Sequence, residues 1–278
     1  MSKPEISLIL PGIRQPNWDR LYDSILKSTK RTFELIICGP LPLTEKLQSL
    51  PNVKYAKDLG SPMRASNIAA SLAEGRLITW IADDAVLLPD SLDANVDFLY
   101  SLGESEKNVV TIKYYEGKDG SHKPIQPDIY FRINGCHVTA SSHIPSSFWI
   151  FNHVIMYRSF FDELGGWDCE YQACPMGHTD FAIRAQSSGA KVAMSNAPCL
   201  DCGWMEGDSG DHRPIFLSQT MIDEPKYQNK YRDPNWKENQ NSIRIDNWKK
   251  SESIWSKRFM NGVPKDYNEI LSSNKFSI

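Results

Sequence analysis

Three short apolar runs, each closed by turn residues and followed by a helical pattern, constrain this chain most. Ile6-Ser7-Leu8-Ile9-Leu10 stops at Pro11-Gly12, Phe33-Glu34-Leu35-Ile36-Ile37-Cys38 stops at Gly39-Pro40, and Leu77-Ile78-Thr79-Trp80-Ile81-Ala82 stops at Asp83-Asp84. Runs of this length with such boundaries read as buried strands. Apolar residues recur at helical spacing between and after them. Trp18, Leu21, Tyr22, Ile25 and Leu26 follow Asn17 as a cap; Ile68, Ala69 and Leu72 precede Gly75 as a C-cap; Leu92, Val96, Leu99 and Tyr100 follow Ser91 as a cap. Strands alternating with helices need crossover connections, which predict a mainly parallel sheet covered by helices on both faces.

The second half is less regular. Val109 to Tyr114 predicts a strand, 116–128 an exposed loop, and the apolar stretch Phe148 to Tyr157 another strand. Asp180 to Gln186 predicts a short helix closed by Gly189, followed by a strand from Lys191 to Met194. The polar, proline-punctuated stretch from Asp208 to Asn241 predicts loops, and Ile245, Trp248, Trp255 and Phe259 fit one side of a final helix. We therefore expect an α/β unit over 1–205, in two halves, 1–105 and 106–205. Residues 206–278 would form a loop-rich and helical extension packed on it.

Composition narrows the function classes. The 278 residues carry 31 Lys and Arg against 34 Asp and Glu, a formal charge of −3, which argues against a nucleic-acid-coating protein with its basic face. No apolar run approaches the roughly 18 residues that span a bilayer. The opening Met1-Ser2-Lys3-Pro4-Glu5-Ile6 has no apolar signal core, so a cytoplasmic protein with reduced thiols is expected. Six cysteines are too few for a disulfide scaffold, although Cys199-x-x-Cys202 has zinc-ligand spacing and Cys169 and Cys174 offer a second pair.

Asp83 and Asp84 follow the most apolar strand, at the sheet edge where ligands of open α/β folds sit. Adjacent carboxylates there suit Mg²⁺ or Mn²⁺, which share their coordination sphere with substrate phosphates. The plainer alternative is one aspartate capping a turn and the other facing solvent.

The run GSPMRASNIAASLAEGRLITWIADDAVLLPD, from Gly60 to Asp90, resembles the middle of the GT-A-fold glycosyltransferases of the inverting family-2 type. The stretch Ile6 to Ser28 is similar to their first strand and helix. Leu164-Gly165-Gly166-Trp167-Asp168, followed by His178-Thr179-Asp180-Phe181-Ala182-Ile183-Arg184, resembles their acceptor-side motif. The resemblance covers about residues 5–195. It implies a GT-A-like α/β fold and transfer of a sugar, with inversion, from a nucleotide-sugar donor to a glycan or other hydroxyl acceptor. UDP is the donor nucleotide by family frequency, and a divalent cation would offset the charge of the departing diphosphate.

The resemblance also implies roles. Asp84 matches the last acid of the family's Asp-x-Asp motif, whose first acid falls on Ala82, so Asp84 would hold the metal and Asp83 would contact ribose or donor sugar. Arg64 and Asn67 match the family's Arg and Asn and would face the diphosphate; Pro11, Gly12, Arg14 and Asp58 are further donor-side candidates, since no acid follows the second strand. On the acceptor side stand Gly166, Trp167, Asp168 and Arg184, with Asp180 or His178 as the general base. Asp180 could instead cap its helix and pair with Arg184. His212 is a further metal candidate.

Two other classes fit parts of the pattern: a non-catalytic carbohydrate- or partner-binding protein on the same scaffold, and a metal-dependent nucleotidyltransferase. Trp236, Trp248 and Trp255 interleave with Lys249, Lys250, Lys257 and Arg258. The heptad separation of Trp248 and Trp255 favours docking on the catalytic unit over peripheral contact with a membrane.

Overall fold

The computed structural model describes residues 3–117, 123–124, 132–133, 148–149, 152–203 and 218–250. The first half builds β1 (Ile6–Pro11), α1 (Trp18–Ser28), β2 (Phe33–Gly39), α2 (Glu45–Gln48), β3 (Val53–Lys57), α3 (Pro62–Ser71), β4 (Leu77–Trp80), β5 (Ala85–Leu87) and α4 (Ser91–Ser101). Then come β6 (Asn108–Gly117), the short β7 (Lys123–Pro124), β8 (Arg132–Ile133) and β9 (Phe148–Trp149), β10 (Val154–Tyr157), α5 (Arg158–Glu163), α6 (Cys174–Ser187) and β11 (Lys191–Gly203). A π-turn at Gln219–Asp223 leads into α7 (Glu224–Arg232), followed by α8 (Trp236–Asn239) and a 3₁₀ turn at Ile245–Lys250.

The main sheet has the order β3-β2-β1-β4-β10-β6-β11-β5, with β7 paired to β6. β1 pairs in parallel with β2 and β4, β2 with β3, and β6 with β11. β10 lies antiparallel between β4 and β6, so β6 runs in the direction of β4. Six strands thus share one direction, and β10, β5 and β7 oppose it. The sheet is mainly parallel, as the alternation predicts.

Alternate residues of the central strands feed two cores. Ile6, Leu8 and Leu10 of β1 join Trp18, Leu21 and Ile25 of α1 and Val96 and Leu99 of α4 on one face. Ile9, Ile78 and Trp80 face α3, α5 and α6 on the other, with Ile68, Phe160, Phe161 and Phe181. Burial on both faces is why these strands read as unbroken apolar runs. Ser7, Glu34 and Thr79 are polar exceptions; the Ser7 hydroxyl donates to Glu34 (2.6 Å), and Lys54 lies 2.8 Å from the same carboxylate. Burial alone would raise the pKa of Glu34, but Lys54, Ser7 and the Glu74 amide hold it below its ordinary value.

Several local expectations change. Leu26 and Leu72 are exposed rather than inward. Asn17 belongs to a 3₁₀ turn and makes no side-chain cap, and Ser91 is the first helical residue, its hydroxyl donating to the Leu88 carbonyl. Gly75 is no C-cap: its amide donates to Ser7 Oγ (2.9 Å), and a Cβ there would lie 2.6 Å from that oxygen. The stretch Phe148 to Tyr157 gives β9 and β10 rather than one strand. The loops expected over Asp208 to Asn241 include α7 and α8, because Pro225 occupies the first turn of α7, where it disturbs no helical hydrogen bond, and Tyr227, Tyr231 and Trp236 enter the core. The final helix is, in its described part, only the 3₁₀ turn at Ile245–Lys250; Trp255 and Phe259 lie outside the described residues.

Candidate active site

The carboxyl ends of β1, β2 and β4 meet at a tight crossing of backbone. Gly12 donates its amide to the Cys38 carbonyl (3.0 Å), and a Cβ on Gly39 would fall 1.9 Å from the Gly12 oxygen. Only glycine at 39 permits this approach. Asp83, buried at 3% exposure, turns its carboxylate into the loop that follows β1. Its Oδ2 accepts from the amides of Ile13 (2.7 Å) and Arg14 (2.6 Å), and its Oδ1 pairs with the Arg14 guanidinium. The carboxylate therefore pins the Pro11–Arg14 segment over the strand ends. Asp83 and Arg14, expected as donor contacts, bind each other. Asp84, next in the chain, is half-buried at the turn into β5.

A second pair stands at the end of β3. Asp58 is 5% exposed and accepts from Arg64 Nε (2.9 Å) and Nη2 (2.8 Å) and from the Gly60 amide (2.6 Å). Arg64 also donates through Nη1 to the Trp248 carbonyl and lies 5.3 Å from the centroid of the Trp248 ring. Its guanidinium is thus shared between β3 and the 3₁₀ turn at Ile245–Lys250, rather than presented to a diphosphate as the resemblance implies.

Asn67 is likewise committed. It has no exposed surface; its Oδ1 accepts from the Trp167 amide (2.9 Å), and its Nδ2 donates to the Trp167 carbonyl (2.6 Å) and the Cys169 sulfur (2.8 Å). The expectation of a diphosphate-facing amide is corrected to that of a clamp between α3 and the Gly165-Gly166-Trp167 turn. Gly166 has φ +69°, and a Cβ there would sit 2.5 Å from Asn67 Oδ1, so the turn needs glycine on both counts.

Asp180 and Arg184 form the centre of a buried network. Arg184, at 1% exposure, donates from Nε to Asp180 Oδ2 (2.8 Å), from Nη1 to the Leu164 carbonyl (2.7 Å) and from Nη2 to the Gly166 carbonyl (2.7 Å). Asp180, at 0% exposure, also accepts at Oδ1 from Lys230 Nζ (2.6 Å) and Tyr231 Oη (2.8 Å). Lys230 reaches Asp168 Oδ2 as well (3.0 Å). Burial would raise the Asp180 pKa, yet Lys230 and Arg184 beside it hold it below the ordinary carboxylate value. A base must approach the proton it removes. Asp180 is enclosed on every side by its own partners, which corrects its expected role as base. It also lies inside α6, which begins at Cys174, so it caps nothing.

His178 lies between the two groups. Its ring centroid is 5.7 Å from that of Trp80, the last residue of β4, and 6.4 Å from that of Trp167. Burial and the neighbouring His153 hold its pKa down to about 3, so the imidazole is neutral. His153, whose Nδ1 lies 3.1 Å from the Trp80 carbonyl, is held down to about 4 by burial.

His153, Lys230 and Tyr231 are absent from the sequence expectation, whereas Trp248, expected to dock on the catalytic unit, packs against the core and Arg64. The i, i+4 spacing of Tyr227 and Tyr231 is the signal that could have revealed α7. Asp223 is absent too: fully buried, it accepts from the amides of Gln172 (3.0 Å) and Ala173 (2.7 Å) just ahead of α6. His212 lies outside the described residues, as do the side chains of Cys199 and Cys202. Cys169 is buried, and burial pushes its thiol up to about 12. Among the described residues no three His, Cys, Asp or Glu side chains form a metal-binding group, and no helix is long and apolar enough to cross a membrane.

The architecture is similar to that of TarS from S. aureus. One TarS crystal structure aligns with a TM-score of 0.52 and 14% identity over 84% of this chain and 43% of that one. TarS 1-349 aligns at 0.51 and 14% over 92% and 78%, and TarS 1-349 in complex with UDP at 0.51 and 13% over 84% and 72%. The fold is GT-A-like. The chain spans less than half the length of the first of these structures. No family model matches this chain, and no curated protein matches it.

Proposed function

We propose that this chain is a glycosyltransferase that moves a sugar from a UDP-sugar to an acceptor hydroxyl with inversion, in the cytoplasm and with a divalent cation. The observation that carries the reading is the Asp83 clasp on the Pro11–Arg14 loop. It fixes the Pro11–Arg14 loop over the carboxyl ends of β1 and β4, where open α/β sheets bind ligands. The UDP held by TarS 1-349, a chain of the same fold, supports a uridine diphosphate there.

In this reading Asp84, half-buried and next in the chain to Asp83, is the carboxylate that would hold the cation beside that loop. Mg²⁺ or Mn²⁺ takes one or two carboxylates together with substrate phosphates, so one aspartate suits such an ion where a zinc site would need more ligands. When bound, the ion would stabilise the charge of the leaving diphosphate. His178, at 9% exposure more open than Asp180, is the base in this reading, although burial and His153 hold its proton affinity low in the free chain. Trp80 and Trp167 hold its ring in place.

Calorimetric titration with UDP, with and without Mn²⁺, tests the reading. Binding that strengthens with Mn²⁺ and loses that gain in Asp84→Ala is the expected result. UDP heats indistinguishable from buffer in both conditions would overturn it. A second reading, a saccharide-binding protein without transferase activity, is favoured by the engagement of Arg64 with Asp58 and Trp248. Turnover of a UDP-sugar panel separates the two.

A further inference from the structure

A polar groove of about 1070 Å³ lies between the loop after Trp167 and the α7–α8 extension, outside the strand-end site. Four carboxamides line it: Gln172, Asn229, Asn239 and Asn247. Asp168, Glu170, Lys226, Lys230 and Lys250 add charged groups. Among the described residues Tyr171, Ile222 and Ile243 supply apolar surface.

This lining selects a chemistry. A wholly apolar ligand would leave the carboxamides and charged groups of the lining without partners. The charges of the lining pair with one another, Lys230 with Asp168 and Asp180, and Lys226 with the Glu170 carbonyl (3.0 Å) and carboxylate (3.9 Å), which leaves little net charge to hold an anion. Carboxamides both donate and accept, which matches a ligand whose every group does the same. Gln172 is 5% exposed, and its Oε1 has no hydrogen-bond partner among the described residues; the carboxamide would turn outward to meet a donor in the groove. The volume reaches the upper end of ordinary ligand sites, roughly 300–1,000 Å³, and leaves room for more than one sugar ring.

We infer that this groove binds an uncharged saccharide chain, the part of the acceptor that lies beyond the reacting hydroxyl. The inference rests on the glycosyl-transfer reading for the word acceptor and on the groove itself for the word saccharide. Lys230 links the groove to the proposed chemistry, since it bridges Asp168 in the lining to Asp180 on α6, two residues from His178. The extension beyond the sheet would then act as the acceptor-reading part of the molecule.

The test uses the full chain on a printed array of neutral and acidic oligosaccharides, with UDP binding measured separately by calorimetry. Asn229 is exposed on α7, so Asn229→Trp fills the groove without disturbing the core. The double variant Asn229→Ala/Asn247→Ala serves should the tryptophan variant melt early. The expected result is retention of neutral oligosaccharides of two or more rings by the parent, at least tenfold weaker in either variant, with UDP affinity changed less than twofold. No retained oligosaccharide, retention of acidic ones alone, or equal retention by the variants would overturn the assignment. Groove-dependent retention without any UDP binding would leave the groove standing and remove the transferase reading instead.

Discussion

Lys230 and Asp180 lie 50 residues apart in the chain and 2.6 Å apart in space, and their contact anchors the extension to the sheet-covering helix α6. Asp180→Asn leaves Arg184 and Lys230 facing an amide in a buried site. Removing one partner of a buried pair costs about 3–5 kcal/mol. Chemical denaturation should show a loss of that size, whereas Lys230→Met, at a partly open position that leaves Arg184 in place, should cost about 2 kcal/mol. Equal stability of Asp180→Asn and the parent would show that the network is not structural.

Acid should weaken the fold through the same carboxylate. Because Asp180 is held below its ordinary value, its contribution is present above the unfolded pKa near 3.9 and disappears as pH falls through the folded value beneath it. The low-pH limb of a stability profile should therefore be shallower in Asp180→Asn.

At milder acidity the two histidines and Asp223 act in opposite senses. His153 and His178 are held near 4 and near 3 against an unfolded value of about 6.5, so stability declines as pH drops from 6.5. Burial raises Asp223 to about 6 despite the amides it accepts from, so its ionisation costs stability as pH climbs from about 4 to 6. Two histidines outweigh one aspartate, and urea titrations between pH 6.5 and 4 should show net weakening on acidification. Asp223→Asn should steepen that loss; a shallower slope would contradict the assignment.

Replacing Asn67 by Ala removes both partners of the Trp167 backbone at a site with no exposed surface. Each stranded buried group costs about 1–3 kcal/mol, so a loss near 3 kcal/mol is expected by denaturant melts.

Gly39→Ala drives a methyl group into the Gly12 carbonyl and should shift the loop that Asp83 holds. UDP affinity is expected to fall at least tenfold while the melting midpoint falls only a few degrees. Unchanged affinity would place the donor elsewhere.

The chain reveals its sheet well and its polar wiring poorly. Ile6 to Leu10 and Leu77 to Ala82 announce β1 and β4 because both faces are covered and all but Ser7 and Thr79 are apolar. By contrast, Asp83, Asp180 and Arg64 are conspicuous as charges, but a charge has no periodicity that reveals its partner. Asp83 points at backbone amides 69 and 70 residues away, and Arg64 at a carbonyl 184 residues away. Those contacts arise only once the topology is closed. The extension was legible in part: Tyr227 and Tyr231 share a helical face, yet proline at 225 and the density of amides suggest loop.

The antiparallel insertion of β10 between β4 and β6 has a consequence for synthesis on the ribosome. Until residues 154–157 emerge, the inner border of β4 has no neighbour, and a nascent chain ending shortly after α4 would offer that border to any extended segment nearby. Truncation at that point should therefore yield a sticky polypeptide, and maturation of the amino-terminal strands must wait for a segment made some seventy-five residues later, as about 154 − 80 = 74 positions separate them.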